Sequence, residues 1–295
     1  MTTIFYIFLL LILIVDIKKI SEDCNLFSGL YRFLSKRIKH KRLMVAILSS
    51  IFGVLPVHGR NILSAPILRS FFLYDEKAKN KMGVVSYLTT HHYYLWSPIE
   101  KTMVIPMLAL SISYLQMLKY TLPLLVFMLA YTFIFVFFVL KEDEIEFEEK
   151  EEVPKTEVKK FQFKKILKYI NWKLILFLVV VLTASWLLKK YSDQITEFVK
   201  GVNILPLALL VAFLFSFVLG SSAKFAGIVV VLVSMFGIQY ITLFIAVEFA
   251  GYLVSPTHKC IVITNEYFKT NYLYFYKVIG LCAIGLVLIG LLTLI

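Results

Sequence analysis

Long apolar runs alternate with short polar connections along this chain, and twice a charged, turn-forming patch interrupts an apolar run. The patches are Pro56-Val57-His58-Gly59-Arg60-Asn61 and Gly220-Ser221-Ser222-Ala223-Lys224-Phe225-Ala226-Gly227, with Arg60 and Lys224 lying 164 positions apart. Their flanking arms, 43–55 with 62–73 and 204–219 with 228–236, are mostly shorter than the ~20 residues a helix needs to cross the hydrocarbon core. Arms of this length predict re-entrant hairpins that enter the membrane part-way and return. Non-helical backbone survives at that depth only where it is buried in protein or lines a watery cavity, so the tips predict a site.

The remaining runs repeat in one order on either side of residue 150. Each half is read as a helix (3–15 and 172–188), a hairpin (43–73 and 204–236), a long run broken near its middle (83–117 and 238–268), and a closing helix (122–140 and 278–295). Run 3–15 has neither a basic leading stretch nor a small-residue cleavage site and reads as a retained helix. The broken runs contain Tyr87-Leu-Thr-Thr-His91-His92-Tyr-Tyr-Leu-Trp-Ser97-Pro98-Ile-Glu100-Lys101 and Gly251-Tyr-Leu-Val-Ser255-Pro256-Thr257-His258-Lys259-Cys260, with His91 and His258 167 apart. A Ser-Pro at mid-membrane frees backbone carbonyls and creates two half-helix ends. One such break reads as a packing kink; two, with two charged tips at matched offsets, read as the binding site of a secondary transporter. The predicted fold is all-α integral membrane, an inverted repeat of 1–140 and 172–295 with two re-entrant helical hairpins and two broken transmembrane helices. Residues 141–171 form the linker.

Composition excludes a soluble domain: 60% of residues are hydrophobic and 17% charged, with a mean hydropathy of +0.82. The net charge of +12 does not signal nucleic acid, because Lys and Arg gather in three connections, 18–42, 69–81 and 141–173. The positive-inside rule makes those cytoplasmic, which gives a multi-pass protein of the cell (inner) membrane with both termini outside. The linker is acidic from Glu142 to Glu152 and basic from Lys159 to Lys168, as a solvated tether is. Its basic part, and the amphipathic stretch from Arg32 to Arg42, are expected on anionic headgroups of the lipid bilayer. Cys24, Cys260 and Cys282 match no metal or disulfide spacing and read as apolar filler.

Ionisable residues inside membrane segments are costly and default to functional candidates. Cations outnumber acids among them, which favours a small anionic substrate. The substrate-binding candidates are His58, Arg60, Asn61, Ser64, Ser221, Ser222, Lys224, Ser255, Thr257 and His258. Arg60 offers a planar fork to a carboxylate or phosphate, and the hairpin helix N-termini add N–H groups. The hydroxyls, with unwound carbonyls, can alternatively hold a sodium ion. His91, His92, Glu100, Lys101, Glu248 and Glu266 are candidates for proton relay or counter-ion, and each histidine reads equally well as a hydrogen-bonded packing residue. No catalytic residue, metal or cofactor beyond a coupling Na+ or H+ is expected. An enzyme built on His91, His92 and His258 finds no HExxH, GxSxG or acidic metal-ligand cluster.

The runs Gly53 to Pro66, Tyr87 to Pro98, and Leu253-Val-Ser255-Pro256-Thr-His258-Lys-Cys260 through Thr264-Asn265-Glu266-Tyr267-Phe268-Lys269 resemble an uncharacterised prokaryotic membrane family of the ion-transporter superfamily. That superfamily is distantly similar to dicarboxylate carriers and to the membrane subunits of tripartite periplasmic transporters. The resemblance implies a scaffold and a transport domain, an elevator-like step and a homodimer; relatives often have Gly where Arg60 stands. The function expected is sodium- or proton-coupled secondary active transport of an organic anion. The alternatives are a translocator of anionic lipid or polyprenyl phosphate, and a membrane scaffold or partner subunit without transport activity.

Overall fold

The computed structural model describes residues 37–53, 72–74, 76–147 and 204–295, with the single positions 176, 179, 180, 183, 186, 187, 190 and 191. His58, Arg60, Asn61 and Ser64, run 3–15 and the linker from 148 onward lie outside the described residues. What is described is helical apart from one two-stranded ribbon. In chain order it comprises α1 (Lys41–Gly53), β1 (Phe72–Tyr74), α2 (Glu76–His91) with a 3-10 turn (His92–Leu95), α3 (Lys101–Leu110), and α4 (Tyr114–Ile134) with a π-helical turn (Phe135–Val139). Next come β2 (Ile145–Phe147), α5 (Leu205–Leu219), α6 (Ser222–Phe236), α7 (Ile241–Leu253), α8 (Lys259–Phe268) and α9 (Tyr272–Leu292).

Two helices are long and apolar enough to cross a membrane, Tyr114–Val139 with 26 residues and Tyr272–Leu292 with 21. At ~1.5 Å per residue each covers a hydrocarbon core of ~30 Å. Both start earlier than the apolar pattern predicts, at 114 rather than 122 and at 272 rather than 278, because polar caps set the start. Ser113 and Gln116 form a capping box, each side chain accepting from the other's backbone N–H. The Asn271 side chain accepts from the Tyr274 N–H at 3.1 Å. Large apolar side chains point outward along these helices, Leu273 81% and Phe138 74% exposed. A lipid-facing surface has this character.

Helix α7 lies at the centre, buried along its whole length, and packs against α4, α5, α6 and α9. Gly251 permits the approach of α5: a Cβ there would stand 2.6 Å from the Phe213 carbonyl oxygen. At one end of the bundle the ends of all three cationic connections meet. Lys81 Nζ lies 2.6 and 2.7 Å from the Glu144 carboxylate oxygens. Arg42 lies 3.4 Å from Glu142 and donates to the Phe137 carbonyl at 2.6 Å. The Asn271 N–H donates to Asn80 Oδ1 at 2.5 Å, bringing the start of α9 to the same end.

β1 and β2 join antiparallel, Phe72 opposite Phe147, Leu73 opposite Glu146 and Tyr74 opposite Ile145. The ribbon corrects two expectations. Residues 72–73 of the apolar arm 62–73 are strand, and so are residues 145–147 of the linker 141–171, after a turn at 141–144. Three-residue strands are too short to show a period of two, and each forms only because the other is brought alongside.

Candidate functional site

Helix α2 and its 3-10 turn are separated from α3 by a break at 96–100, and α7 from α8 by a break at 254–258. The residues across the two breaks repeat. Tyr94-Leu95-Trp96-Ser97-Pro98-Ile99-Glu100-Lys101 and Tyr252-Leu253-Val254-Ser255-Pro256-Thr257-His258-Lys259 are identical at Tyr, Leu, Ser, Pro and Lys. Their backbones match as well: Glu100 N–H donates to Ser97 O at 3.0 Å and His258 N–H to Ser255 O at 3.1 Å. Met103 then donates to Glu100 O, and Ile261 to His258 O, each at 3.0 Å. Proline cannot donate and presets its φ, so each Ser-Pro turns the chain before a new helix starts at the lysine. The offset relating the two breaks is therefore 158, not the 167 that separates the histidines. Glu100 is the counterpart of His258, and His91 that of Phe249.

The two breaks touch. The Tyr94 and Tyr252 hydroxyls lie 2.7 Å apart, and Tyr87 donates its hydroxyl to the Leu253 carbonyl at 2.7 Å. His91 stacks on Tyr87 with ring centroids 3.9 Å apart and His258 on Tyr252 at 4.0 Å. Their Nε2 atoms face each other at 3.4 Å.

The neighbours assign the tautomers. His91 Nδ1 lies 2.5 Å from the Tyr87 carbonyl and His258 Nδ1 3.2 Å from the Tyr252 carbonyl. A carbonyl only accepts, so both Nδ1 atoms carry hydrogen and both Nε2 atoms present lone pairs. His92 is the opposite case: Trp96 Nε1 donates to its Nδ1 at 3.0 Å, so its Nε2–H is the donor to Ser50 Oγ, also at 3.0 Å. His92 pegs the first break to α1.

The α5–α6 pair closes over the second break. α5 ends at Gly220, whose φ of +52° is left-handed, and its last carbonyls accept from the break. Ser255 Oγ donates to Phe217 O at 2.5 Å, Thr257 Oγ1 to Val218 O at 2.8 Å, and the two hydroxyls lie 2.9 Å apart. These bonds satisfy carbonyls that a helix end leaves without intrahelical partners. Contact at Gly220 is so close that a Cβ would meet Thr257 Oγ1 at 2.6 Å and His258 N at 2.8 Å.

Of the other candidates, Ser221 is the N-cap of α6 without a side-chain cap bond. Ser221 and Ser222 are half-buried and Lys224 is exposed. Helix α6 packs against α3 and α7. Glu248 is fully buried on α7, accepts from Ser216 at Oε2, and has no hydrogen-bond partner at Oε1 among the described residues. Glu100 and Lys101 are buried at the first break; Glu266 and Lys259 are exposed. Arg60, the cation 164 positions before Lys224, lies outside the described residues.

Sequence reasoning passed over Tyr87, Tyr94, Tyr252, Ser216 and Cys260. The repeated octapeptide was the signal for the two tyrosines that meet; the others are joined only by the fold. Compared with protein-family models, with curated proteins and with solved structures, the chain has no significant match.

Proposed function

We propose that this chain is a multi-pass membrane protein and a secondary active transporter of a small organic anion, coupled to sodium or protons. On this reading it is an inverted repeat of the kind found in the ion-transporter superfamily. The carrying observation is the contact between two matching helix breaks, Tyr94 to Tyr252, with a Gly-Ser tip docked on one of them through Ser255 and Thr257. Secondary transporters build substrate and ion sites from interrupted helices of this kind, met at the midplane by half-helix ends.

Helices α5 and α6, each of 15 residues, are read as the re-entrant hairpin, since ~22 Å of helix falls short of a ~30 Å core. The start of α6, with Ser221, Ser222 and Lys224, supplies N–H groups, hydroxyls and a cation to the anion. Arg60 of the other tip supplies its guanidinium. Glu248, an acid buried among apolar helices, is the coupling group. The expected movement is elevator-like, the hairpins and broken helices shifting against the two long spans, and the homodimer belongs to the same proposal.

The test is flux through purified protein in liposomes, with labelled carboxylates and phosphate outside and a sodium or proton gradient imposed. Gradient-driven uptake that stops when the gradient is collapsed supports the reading. Folded protein that binds and moves none of these anions under either gradient overturns it.

A second reading, translocation of an anionic lipid or polyprenyl phosphate, draws on one observation. A cavity of about 340 Å³ beside the second break is lined by Phe213, Ala250, Val254, Ala283, Val287 and Leu288, an acyl-chain environment. Movement of a fluorescent anionic lipid between leaflets, with no uptake of soluble anions, favours this reading over the first.

A further inference from the structure

His91, His258 and Cys260 bring two imidazole nitrogens and one sulfur, all buried, within 4.8 Å of one another. They come from α2, from the second break and from the first turn of α8, so no spacing along the sequence announces them. The two Nε2 atoms meet as lone pair to lone pair, because each Nδ1–H faces oxygen acceptors, the Tyr87 carbonyl for His91 and the Tyr252 carbonyl with the Tyr87 hydroxyl for His258. A cation placed between two facing lone pairs turns their repulsion into attraction. A shared proton would hold the nitrogens typically at roughly 2.7–3.2 Å. A tetrahedral zinc-like ion, with bonds of ~2.0–2.1 Å to nitrogen, holds two ligand nitrogens about 3.3–3.4 Å apart; the observed separation is 3.4 Å.

We propose that His91 Nε2, His258 Nε2 and Cys260 Sγ bind one zinc-type divalent transition-metal ion, clamping α2 to the start of α8. The donor set suits such an ion, since imidazole and thiolate select zinc and its neighbours over magnesium, calcium or sodium. The sulfur needs to close by at most ~1 Å to reach zinc–thiolate distance, and Cys260 binds as the thiolate, its proton leaving to solvent. The surroundings are those of a metal-binding histidine pair, in which the non-ligating N–H is held by a carbonyl and fixes the ring. Tyr87 serves both rings: its carbonyl holds His91 Nδ1, and its hydroxyl, donated to Leu253 O, accepts from His258 Nδ1 at 3.0 Å. Three protein ligands leave a fourth position open, as in zinc sites that take water or a substrate oxygen. The inference stands on these three residues and does not depend on transport.

The test uses full-length protein in detergent, stripped with a chelator, titrated with Zn2+ or Co2+ and desalted. The expected result is one ion retained per chain. Cobalt should show tetrahedral visible absorption and a thiolate-to-metal charge-transfer band in the near ultraviolet. Cys260→Ser, nearly isosteric, should abolish that band. Tyr87→Phe should weaken binding roughly 10- to 100-fold while keeping the band, the usual loss for an outer-shell partner. His92→Gln should leave binding unchanged. Failure of the wild-type protein to retain either ion at one per chain overturns the site, as does cobalt bound without the charge-transfer band, or with the band intact in Cys260→Ser. These readouts are independent of flux, so metal retention and anion transport can fail separately.

Discussion

The hydroxyls of Tyr94 and Tyr252, 2.7 Å apart, join the same position of two octapeptides 158 residues apart in the chain. Contact between counterparts is what a two-fold relation between halves requires on its axis, and it is the ground for proposing an inverted repeat. Removing either hydroxyl deprives the other, in a buried place, of this bond, at ~1–3 kcal/mol. Tyr94→Phe and Tyr252→Phe should each lower the thermal midpoint in detergent, and the double variant should cost clearly less than their sum. Strict additivity would show that the two hydroxyls do not depend on each other.

Gly220→Ala tests the docked tip. The substitution meets a left-handed backbone, costing ~1–2 kcal/mol for an L side chain, and a Cβ within 3 Å of Thr257, His258 and Ser255. We expect the tip to lift from the second break, with transport lost and a loss of stability of a few kcal/mol. Wild-type flux in this variant would separate the tip from function.

How far the sequence discloses this architecture depends on the range of the forces involved. The helix end at Gly220-Ser221 and the Ser-Pro breaks are legible because glycine and proline act on their own backbone, wherever the rest of the chain lies. The histidines mislead for a physical reason: His91 and His258 meet across the fold, yet they occupy different register positions, His91 three residues before Tyr94 and His258 six after Tyr252. The helix starts at Tyr114 and Tyr272 were readable from Ser113, Gln116 and Asn271, whose capping bonds are local. The β1–β2 ribbon and the Cys260 cluster were not, because each assembles from segments far apart in sequence and takes its energy from tertiary contact alone.

Glu248→Gln keeps the size of the side chain and its bond with Ser216 while removing the ionisable group. If Glu248 couples the carrier to its ion, the variant should fold, retain anion exchange across the membrane, and lose accumulation driven by the sodium or proton gradient. Full gradient-driven accumulation in Glu248→Gln would assign coupling elsewhere and leave Glu248 as a packing residue.

The ion pairs at one end of the bundle make a topological prediction. Lys81 and Glu144, 17% and 13% exposed, place the end of α4 beside the start of α2, and Asn80 places the start of α9 there too. Cysteines introduced at Asp143 and Tyr272 should react with an impermeant thiol reagent from the same side, the cytoplasmic one by loop charge. A cysteine at Gln116, at the other end of α4, should react from the opposite side. Labelling of Gln116→Cys and Asp143→Cys from one side would mean that α4 does not span.

The most direct test of the carrier account is the water access of the α5–α6 tip in oriented vesicles. Ser222→Cys, half-buried at the start of α6, is exposed to an impermeant thiol reagent from each side in turn, with and without sodium and a carboxylate mixture. Alternating access predicts modification from one side at a time, with the ligands shifting the reactive fraction between sides. Modification from both sides at once, as in an open pore, or from neither side under any condition, would contradict it.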